Sequence, residues 1–319
     1  MRALLLGGTG FLGSAIGRAL RAQGHEVAVL HRGRTPCPKD AICIHADRAR
    51  LADHTSDIAA LSPGVVIDTC ADASPSLRRT LFSSAGPSRL LVVNRAARDR
   101  ADWLGSPATV VRLAALYGPG DPARSLYPLW RRMRDGRSAI LLPRADAESR
   151  TPRIYIENAA CGIALAATHP RARGRAYELC EPHAFNEAEW AQQVALAMGW
   201  RGRIVITPAA LARRCPSAAA AAADSSRIRA ELGYREVVSP AHALAATLAW
   251  EQAHPPLPSD AARLDYAGED ALLRSLGLVS AVGFTGNRTA KIANSAATTA
   301  SAQTLASGPA VPPVIQREP

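Results

Sequence analysis

Residues 2–13 read Arg-Ala-Leu-Leu-Leu-Gly-Gly-Thr-Gly-Phe-Leu-Gly, and this stretch decides the fold. An apolar run leads into a turn in which Gly7, Gly10 and Gly13 stand three residues apart. Beyond the turn, apolar residues recur at helical spacing as far as Gly24. The pattern predicts a strand, a tight turn and the start of a helix. Glycine permits a close approach to the backbone of the turn, and the positive end of the helix favours an anion such as a pyrophosphate.

We therefore predict a dinucleotide site at this turn. A second apolar run, Glu26–Leu30, completes the strand–helix–strand unit that such a site needs. The cofactor-binding residues expected in the turn are Gly7, Thr9, Gly10, Phe11, Leu12 and Gly13. An α/β turn that binds no nucleotide is the alternative that the residues leave open.

The rest of the chain predicts an α/β protein built on a parallel sheet. Runs typical of strands are Arg2–Leu6, Glu26–Leu30, Ala41–His45, Val65–Asp68, Arg89–Val93 and Thr109–Leu113. Helical segments fit between most of them, and this alternation predicts a Rossmann-type doubly wound sheet with right-handed crossovers. We expect a nucleotide-binding domain at residues 1–120 and a smaller C-terminal substrate-side domain at 121–278. Within the second domain, the segment around 152–170 is expected to return to the first. Residues 279–319 should form a disordered tail.

Composition narrows the class of protein. The chain of 319 residues is 48% hydrophobic and 20% charged, which suffices for a sizeable core. It has neither an apolar run of about 20 residues nor a cleavable signal pattern, so we expect a cytoplasmic location and no membrane partner. The net charge of +11 comes mostly from scattered arginines without interleaved aromatic residues, which argues against nucleic acid as a partner. The six cysteines show neither C-x-x-C nor zinc-type spacing to histidine, so neither a disulfide framework nor a metal site is expected.

Further motifs follow the glycine turn along the chain. They are Val66–Ala71, Val111–Asp121, Pro152–Asn158, Glu189-Trp190, Asp224–Tyr234, Trp250-Glu251 and Asp265-Tyr266. Together with the turn, they resemble the NAD-dependent epimerase/dehydratase family, the extended branch of the short-chain dehydrogenase/reductases, over residues 1–278. The resemblance implies a Rossmann domain that holds NAD(P), a small domain that closes over a substrate such as a nucleotide sugar, and oxidoreductase chemistry. It leaves open a homodimer.

The residues after the second and third strands bear on the choice of cofactor. Arg32 follows the second strand, where an NAD-preferring site has an acidic residue, and its guanidinium suits the 2′-phosphate of NADP. We predict NADP, with NAD as the alternative, because Arg32 could equally stack on the adenine or lie in solvent. The resemblance implies that Asp47 contacts the adenine, although it could equally cap a helix, and that the backbone up to Ala71 lines the same side.

The same resemblance also predicts which residues contact the substrate. It places Arg112, Tyr117 and Arg153 in loops that contact the substrate, with packing at the sheet edge and between domains as the alternative. Catalytic residues are unknown. Tyr127 and Arg131 stand four residues apart, but they fall in the predicted substrate-side domain, where packing is the simpler interpretation.

The proton-transfer pair of the family is missing from the sequence. The family uses a tyrosine with a lysine four residues later on one helix, whereas the residues four before Lys39 and Lys291 are Thr35 and Asn287. The short segment 95–108, between the fifth and sixth predicted strands, also leaves little room for that helix. We therefore expect a protein that binds cofactor with impaired turnover. The alternative is a non-catalytic cofactor sensor or an RNA-associated protein, since the resemblance extends to the chloroplast stem-loop RNA-binding proteins.

Overall fold

The computed structural model describes residues 1–69, 89–94, 108–208, 223–254, 257–261 and 264–278. Residues 1–269 form one compact unit, and residues 270–319 belong to a second. The boundary between nucleotide-binding and substrate-side domains at residue 120 stays a prediction. The tail predicted from residue 279 lies outside the described residues.

Parallel strands form the centre of the first unit. In chain order the strands are β1 (Arg2–Leu6), β2 (Glu26–His31), β3 (Ile42–His45), β4 (Val65–Asp68), β5 (Leu90–Asn94), β6 (Thr109–Leu113), β7 (Ala115–Tyr117), β8 (Ala139–Pro143), β9 (Arg153–Tyr155), β10 (Ala176–Leu179) and β11 (Arg203–Thr207). Seven of them form one parallel sheet in the order β10-β6-β5-β4-β1-β2-β3. The chain builds the sheet outward from β1, first through β2 and β3 on one side and then through β4, β5 and β6 on the other. The predicted doubly wound Rossmann-type sheet is therefore confirmed. Two small parallel pairs, β7 with β9 and β8 with β11, lie outside this sheet.

Helices alternate with the strands along much of the chain. In chain order they are α1 (Phe11–Ala22), α2 (Thr55–Leu61), α3 (Tyr127–Arg134), α4 (Arg144–Glu148), α5 (Ile156–Thr168), α6 (Glu187–Met198), α7 (Ser226–Leu232), α8 (Pro240–Ala253), α9 (Pro258–Ala261) and α10 (Tyr266–Ser275). Short 3-10 helices span Arg48–His54 and Pro170–Ala172. In the described part of the chain, no helix is both long and apolar enough to cross a membrane.

The apolar run of β1 is continuous because this strand is buried on both faces. Ala3 and Leu5 pack in the larger core cluster, together with Ile16 of α1. Leu4 and Leu6 point to the opposite face and pack in a second cluster with Ile58. A strand at the centre of a parallel sheet needs apolar residues in both directions, which explains the sequence of residues 3–6.

Local sequence signals fix several element boundaries. Helix α6, Glu187–Met198, has such signals at both ends. It begins with a capping box, in which the Asn186 side chain accepts from the Glu189 N–H and the Glu189 carboxylate accepts from the Asn186 N–H. It ends at Gly199, whose positive φ of 63° suits glycine. Three predicted strands match the structure in both bounds, and the other three differ by one residue at one or both ends.

A buried ion cluster joins the segment before α3 to α8 and α9. The guanidinium of Arg124 pairs with Glu251 at 2.5 Å and with Asp260 at 3.1 Å. The three side chains are only 5%, 2% and 8% exposed. The guanidinium also lies 4.7 Å from the ring centroid of Tyr127, so the cluster is packed as well as charged. Sequence reasoning gave no signal for this cluster.

Candidate functional site

The glycine turn between β1 and α1 is closed by its own backbone. Gly7 has a φ of +84°, which favours glycine, and its N–H donates to the Leu30 carbonyl at 3.2 Å. The N–H of Gly10 in turn donates to the Gly7 carbonyl at 3.2 Å. These bonds tie the turn to the end of β2, so its shape is set before any ligand arrives.

The glycines of the turn have different steric roles. A Cβ on Gly13 would lie 2.2 Å from the Gly7 carbonyl oxygen, so no side chain fits there. At Gly10, which is exposed, the nearest atom to a Cβ would be the same oxygen at 3.5 Å. Gly13 is therefore needed for the turn to pack against α1, whereas Gly10 faces an open surface.

The first turn of α1 offers free backbone donors. Gly10, at the N-cap position, has no side chain to cap the helix, and the first turn contains no acidic residue. The N–H groups of the first helical residues have no partner within a helix, so Phe11, Leu12 and Gly13 can donate to an anion. Thr9 and Phe11 are half-buried, while the side chain of Leu12 is buried in the core. The backbone of this segment, with the positive end of the helix, can hold a pyrophosphate.

A second turn adjoins the glycine turn. A Cβ on Gly120 would lie 3.9 Å from the Phe11 ring, which places the Tyr117–Gly120 turn beside the predicted dinucleotide site. On its other side, a Cβ on Gly118 would lie 2.5 Å from the Ile156 side chain, so this turn packs closely on α5. The predicted cofactor and substrate-side motifs thus meet at the same edge of the sheet.

The residues predicted to choose the cofactor lie at the ends of β2 and β3. Arg32 is exposed, and it forms no hydrogen bond or ion pair with the residues that the structure describes. Asp47 is also exposed and directly precedes the 3-10 helix Arg48–His54, as a capping residue would. Ala71 lies outside the described residues. The structure therefore leaves Arg32 available to a ligand.

A histidine–cysteine group lies next to Arg32. His31 is 5% exposed, its Nδ1 accepts from the Gly33 N–H at 3.2 Å, and its ring centroid lies 4.6 Å from that of His45. Burial, and secondarily the charge of His45, lowers the pKa of His31, which favours a neutral ring. A disulfide joins Cys37 and Cys43, whose Cα atoms are 6.4 Å apart. The expectation that cysteines do not pair is wrong for these two, because the β2–β3 connection folds them together.

The substrate-side residues predicted from the sequence are well packed. Tyr117 is buried, and its hydroxyl donates to Glu181 Oε1 at 2.7 Å. Arg153 pairs with Glu187 and lies 4.7 Å from the ring centroid of Trp190, which also contacts Tyr117. These contacts suit the packing alternative as well as a ligand-binding role.

Arg112 is held on the sheet. Its guanidinium lies 3.5 Å from Glu178 Oε1, across the β6–β10 pair. Its role in substrate contact therefore stays a prediction, as do those of Tyr117 and Arg153. Sequence reasoning missed Glu181, whose partner stands 64 residues earlier in the chain.

The environment of the Tyr117–Glu181 pair limits its chemistry. Burial raises the pKa of the Glu181 carboxyl above its ordinary value. Burial, followed by the Glu181 carboxylate, also raises the pKa of the Tyr117 hydroxyl. Tyr117 therefore stays protonated at neutral pH and can donate a hydrogen bond, but it is no ready base. Segment 95–107, which would hold the proton-transfer pair of the family, lies outside the described residues.

We expect Glu181→Gln to change the pH dependence of stability. A raised pKa means that folded protein binds this proton more tightly than unfolded chain, so its contribution is full below about pH 4.5 and is lost as the pH rises through the folded-state pKa. The neutral amide avoids that loss, so the stability of the variant relative to wild type should increase from pH 4 to pH 8. Urea unfolding across this range measures it. The same substitution at exposed Glu148 is the control, and parallel curves for Glu181→Gln and wild type would contradict the prediction.

Comparison with known proteins confirms the resemblance seen in the sequence. Residues 3–80 match the model of the NAD dependent epimerase/dehydratase family. A curated relative, the 2'-dehydrokanamycin reductase of Streptomyces kanamyceticus, is 28% identical in an alignment of 266 positions that covers 71% of this chain and 75% of the relative. The family match thus covers the glycine turn and the strands around it.

Solved structures share the fold. The UDP-glucose 4-epimerase of Thermotoga maritima, determined with UDP-glucose, is 16% identical, with a TM-score of 0.62 over 79% of this chain and 99% of its own. The UDP-glucose 4-epimerase of Thermus thermophilus, determined with NAD, is 18% identical, with a TM-score of 0.61 over 80% of this chain and 100% of its own. At these identities the likeness is one of fold.

Proposed function

We propose that this protein binds NADP at the glycine turn and a sugar compound beside it, with slow hydride transfer between them. The observation that carries the proposal is the turn itself. Gly13 leaves no room for a side chain, Gly10 faces an open surface, and the first turn of α1 is uncapped. Together these features leave a backbone that can approach a pyrophosphate closely.

The preference for NADP rests on Arg32. This side chain is exposed at the end of β2 and has no partner among the described residues. A phosphate can therefore pair with the guanidinium without breaking an existing ion pair. A guanidinium can bind a phosphate with two parallel hydrogen bonds. The solved relatives that carry NAD support the cofactor class but not this choice.

Arg32→Ala should weaken NADP binding by about 10- to 150-fold, since a charge-assisted hydrogen bond contributes about 1.5–3 kcal/mol. Calorimetric titration of wild type and variant with NADP measures the loss. NAD is the matched control ligand, because it lacks the 2′-phosphate and should bind both proteins equally. An equal loss for NAD and NADP would show that Arg32 contacts the part of the cofactor that they share.

The sugar class of substrate is supported by the relatives. The ligands of the solved structures include UDP-glucose and formylated UDP-arabinopyranose, and the curated relative is named a 2'-dehydrokanamycin reductase. In this chain the Tyr117–Gly120 turn lies against Phe11, so a compound bound there would lie next to the cofactor. We therefore propose a hydroxyl or ketone of a sugar as the reacting group.

Slow turnover follows from the sequence around Lys39 and Lys291, neither of which has a tyrosine four residues before it. A positioned general acid or base accelerates a reaction by about 10²–10⁴-fold, so hydride transfer without one should be slower by that factor. The test is a single-turnover experiment with protein in excess over NADPH or NADP, followed by nicotinamide absorbance. The substrates are UDP-glucose with NADP and a keto sugar with NADPH.

A second candidate is a fully active ketone reductase. The specific observation that favours it is the 28% identity to 2'-dehydrokanamycin reductase along 71% of the chain. A fast burst of NADPH oxidation with an aminoglycoside ketone would support this candidate and overturn slow turnover. Cofactor binding with slow or undetectable oxidation would support the first.

A further inference from the structure

We propose that His31, Cys37 and Cys43 form a zinc site at the edge of the sheet once a thiol reductant has opened the Cys37–Cys43 disulfide and left two thiols. One ring nitrogen of His31 and the two sulfur atoms all lie within 4.8 Å of one another. The group is carried by β2, β3 and the connection between them.

The register of β2 and β3 explains why the three residues meet. His31 is the register partner of His45, so their side chains point to the same face of the sheet. Cys43 precedes His45 by two residues on β3 and therefore shares that face. Cys37 lies in the connection between the strands, which brings its sulfur into contact with that of Cys43.

The donor set has the chemistry of a zinc site. Two thiolates and an imidazole are ligands that zinc prefers, with Zn–S of about 2.3 Å and Zn–N of about 2.0 Å. Ligand atoms around such an ion are about 3.5–3.8 Å apart, so the two sulfur atoms must move apart after reduction, while the His31 nitrogen already lies within 4.8 Å of both. Three protein ligands leave the fourth position of a tetrahedral ion to water.

A metal ion accounts for His31 better than a disulfide does. Within the described part of the chain, Nε2 of His31 is a buried polar atom without a hydrogen-bond partner. Such an atom destabilises the folded protein if nothing satisfies it. The disulfide between Cys37 and Cys43 uses both sulfurs and leaves the imidazole unused, whereas an ion engages all three side chains.

The ion would join β3 and the connection to the end of β2, directly beside Arg32. We therefore expect zinc to order the segment that carries the proposed 2′-phosphate ligand. This consequence rests on the proposed NADP site, whereas the metal site does not. Zinc binding without any effect on NADP would overturn only the consequence.

The experiment is a cobalt titration of the full-length protein after mild reduction. Wild type should bind one Co²⁺ per chain with the near-ultraviolet absorption of thiolate-bound cobalt, and Zn²⁺ should displace it. Cys37→Ser and Cys43→Ser should lose that absorption, and His31→Gln should bind at least tenfold more weakly. Cys161→Ser, which changes a free cysteine on α5, is the matched control and should behave as wild type.

Thermal unfolding tests zinc binding without relying on the absorption of cobalt. At a hundredfold excess of zinc over its Kd, the melting temperature of wild type should rise by about 5 °C, and that of Cys37→Ser should not change. Absence of thiolate-bound cobalt in the reduced wild type would overturn the proposal. So would unchanged absorption in both serine variants, or a Cys37–Cys43 disulfide that persists under mild reduction without bound metal.

Discussion

Gly13→Ala should destabilise the protein by about 3 kcal/mol and abolish dinucleotide binding, because the added methyl group has no space. Its Cβ would lie 2.2 Å from the Gly7 carbonyl oxygen and 2.7 Å from the Gly8 Cα. Both neighbours are backbone atoms of a turn that is tied to Leu30, so they cannot rotate away as a side chain would. Urea unfolding measures the first effect and calorimetric titration with NADP the second.

Two substitutions at Gly10 serve as matched controls. Gly10 has a φ of −77°, which alanine adopts, and its Cβ would meet only an ordinary contact at 3.5 Å. Gly10→Ala should therefore keep the stability within about 1 kcal/mol of wild type. Gly10→Leu should also fold, but its side chain would occupy the space proposed for the pyrophosphate and prevent binding. Undiminished NADP binding by a folded Gly10→Leu protein would show that the phosphates lie elsewhere.

Arg124→Leu should cost about 3–5 kcal/mol of folding free energy, since it leaves buried carboxylates without a counter-charge. Glu251 and Asp260 are 2% and 8% exposed, and both pair with this one guanidinium. Burial raises the pKa of Glu251, and the Arg124 guanidinium opposes that shift. Without Arg124, part of the loss should be recovered at acidic pH, where protonated carboxyls no longer need the cation.

Arg131→Ala is the matched control, because it also removes an arginine ion pair at α3 but one that is partly exposed to solvent. Its partner Asp135 lies 2.9 Å away and one helical turn later, but both side chains are partly exposed, 34% and 25%. Exposed pairs of this kind contribute about 0.2–1 kcal/mol. Equal effects of Arg124→Leu and Arg131→Ala on urea unfolding would contradict the assignment of a special role to the buried cluster.

The parts of the structure that the sequence predicts are those with local signals. The glycine spacing of residues 7–13 and the apolar runs of the strands depend on neighbours a few residues apart, and both are confirmed. The order of the strands needed the additional rule that crossovers between parallel strands are right-handed. A strand such as Val65–Asp68, which is buried on both faces, is visible from composition alone.

The side-chain clusters could not be predicted because each depends on a long-range pairing. Glu181 meets Tyr117 across 64 residues, and Asp260 meets Arg124 across 136. Cys37 and Cys43 are only six apart, yet their meeting with His31 depends on the register of β2 and β3. The spacing of residues along one segment does not reveal how two strands are aligned, so it could not predict that His31 and the two cysteines meet.

The order of the strands in the sheet affects how the chain folds. Ala176 of β10 pairs with Val110 of β6, and β1 pairs with both β2 and β4, so the sheet closes only after distant segments have met. Such non-local pairing makes folding slow. During synthesis, β6 keeps an unpaired outer edge until residue 179 has emerged, and exposed strand edges associate with other chains. Nascent or truncated forms that end before β10 should therefore aggregate, however stable the completed protein is.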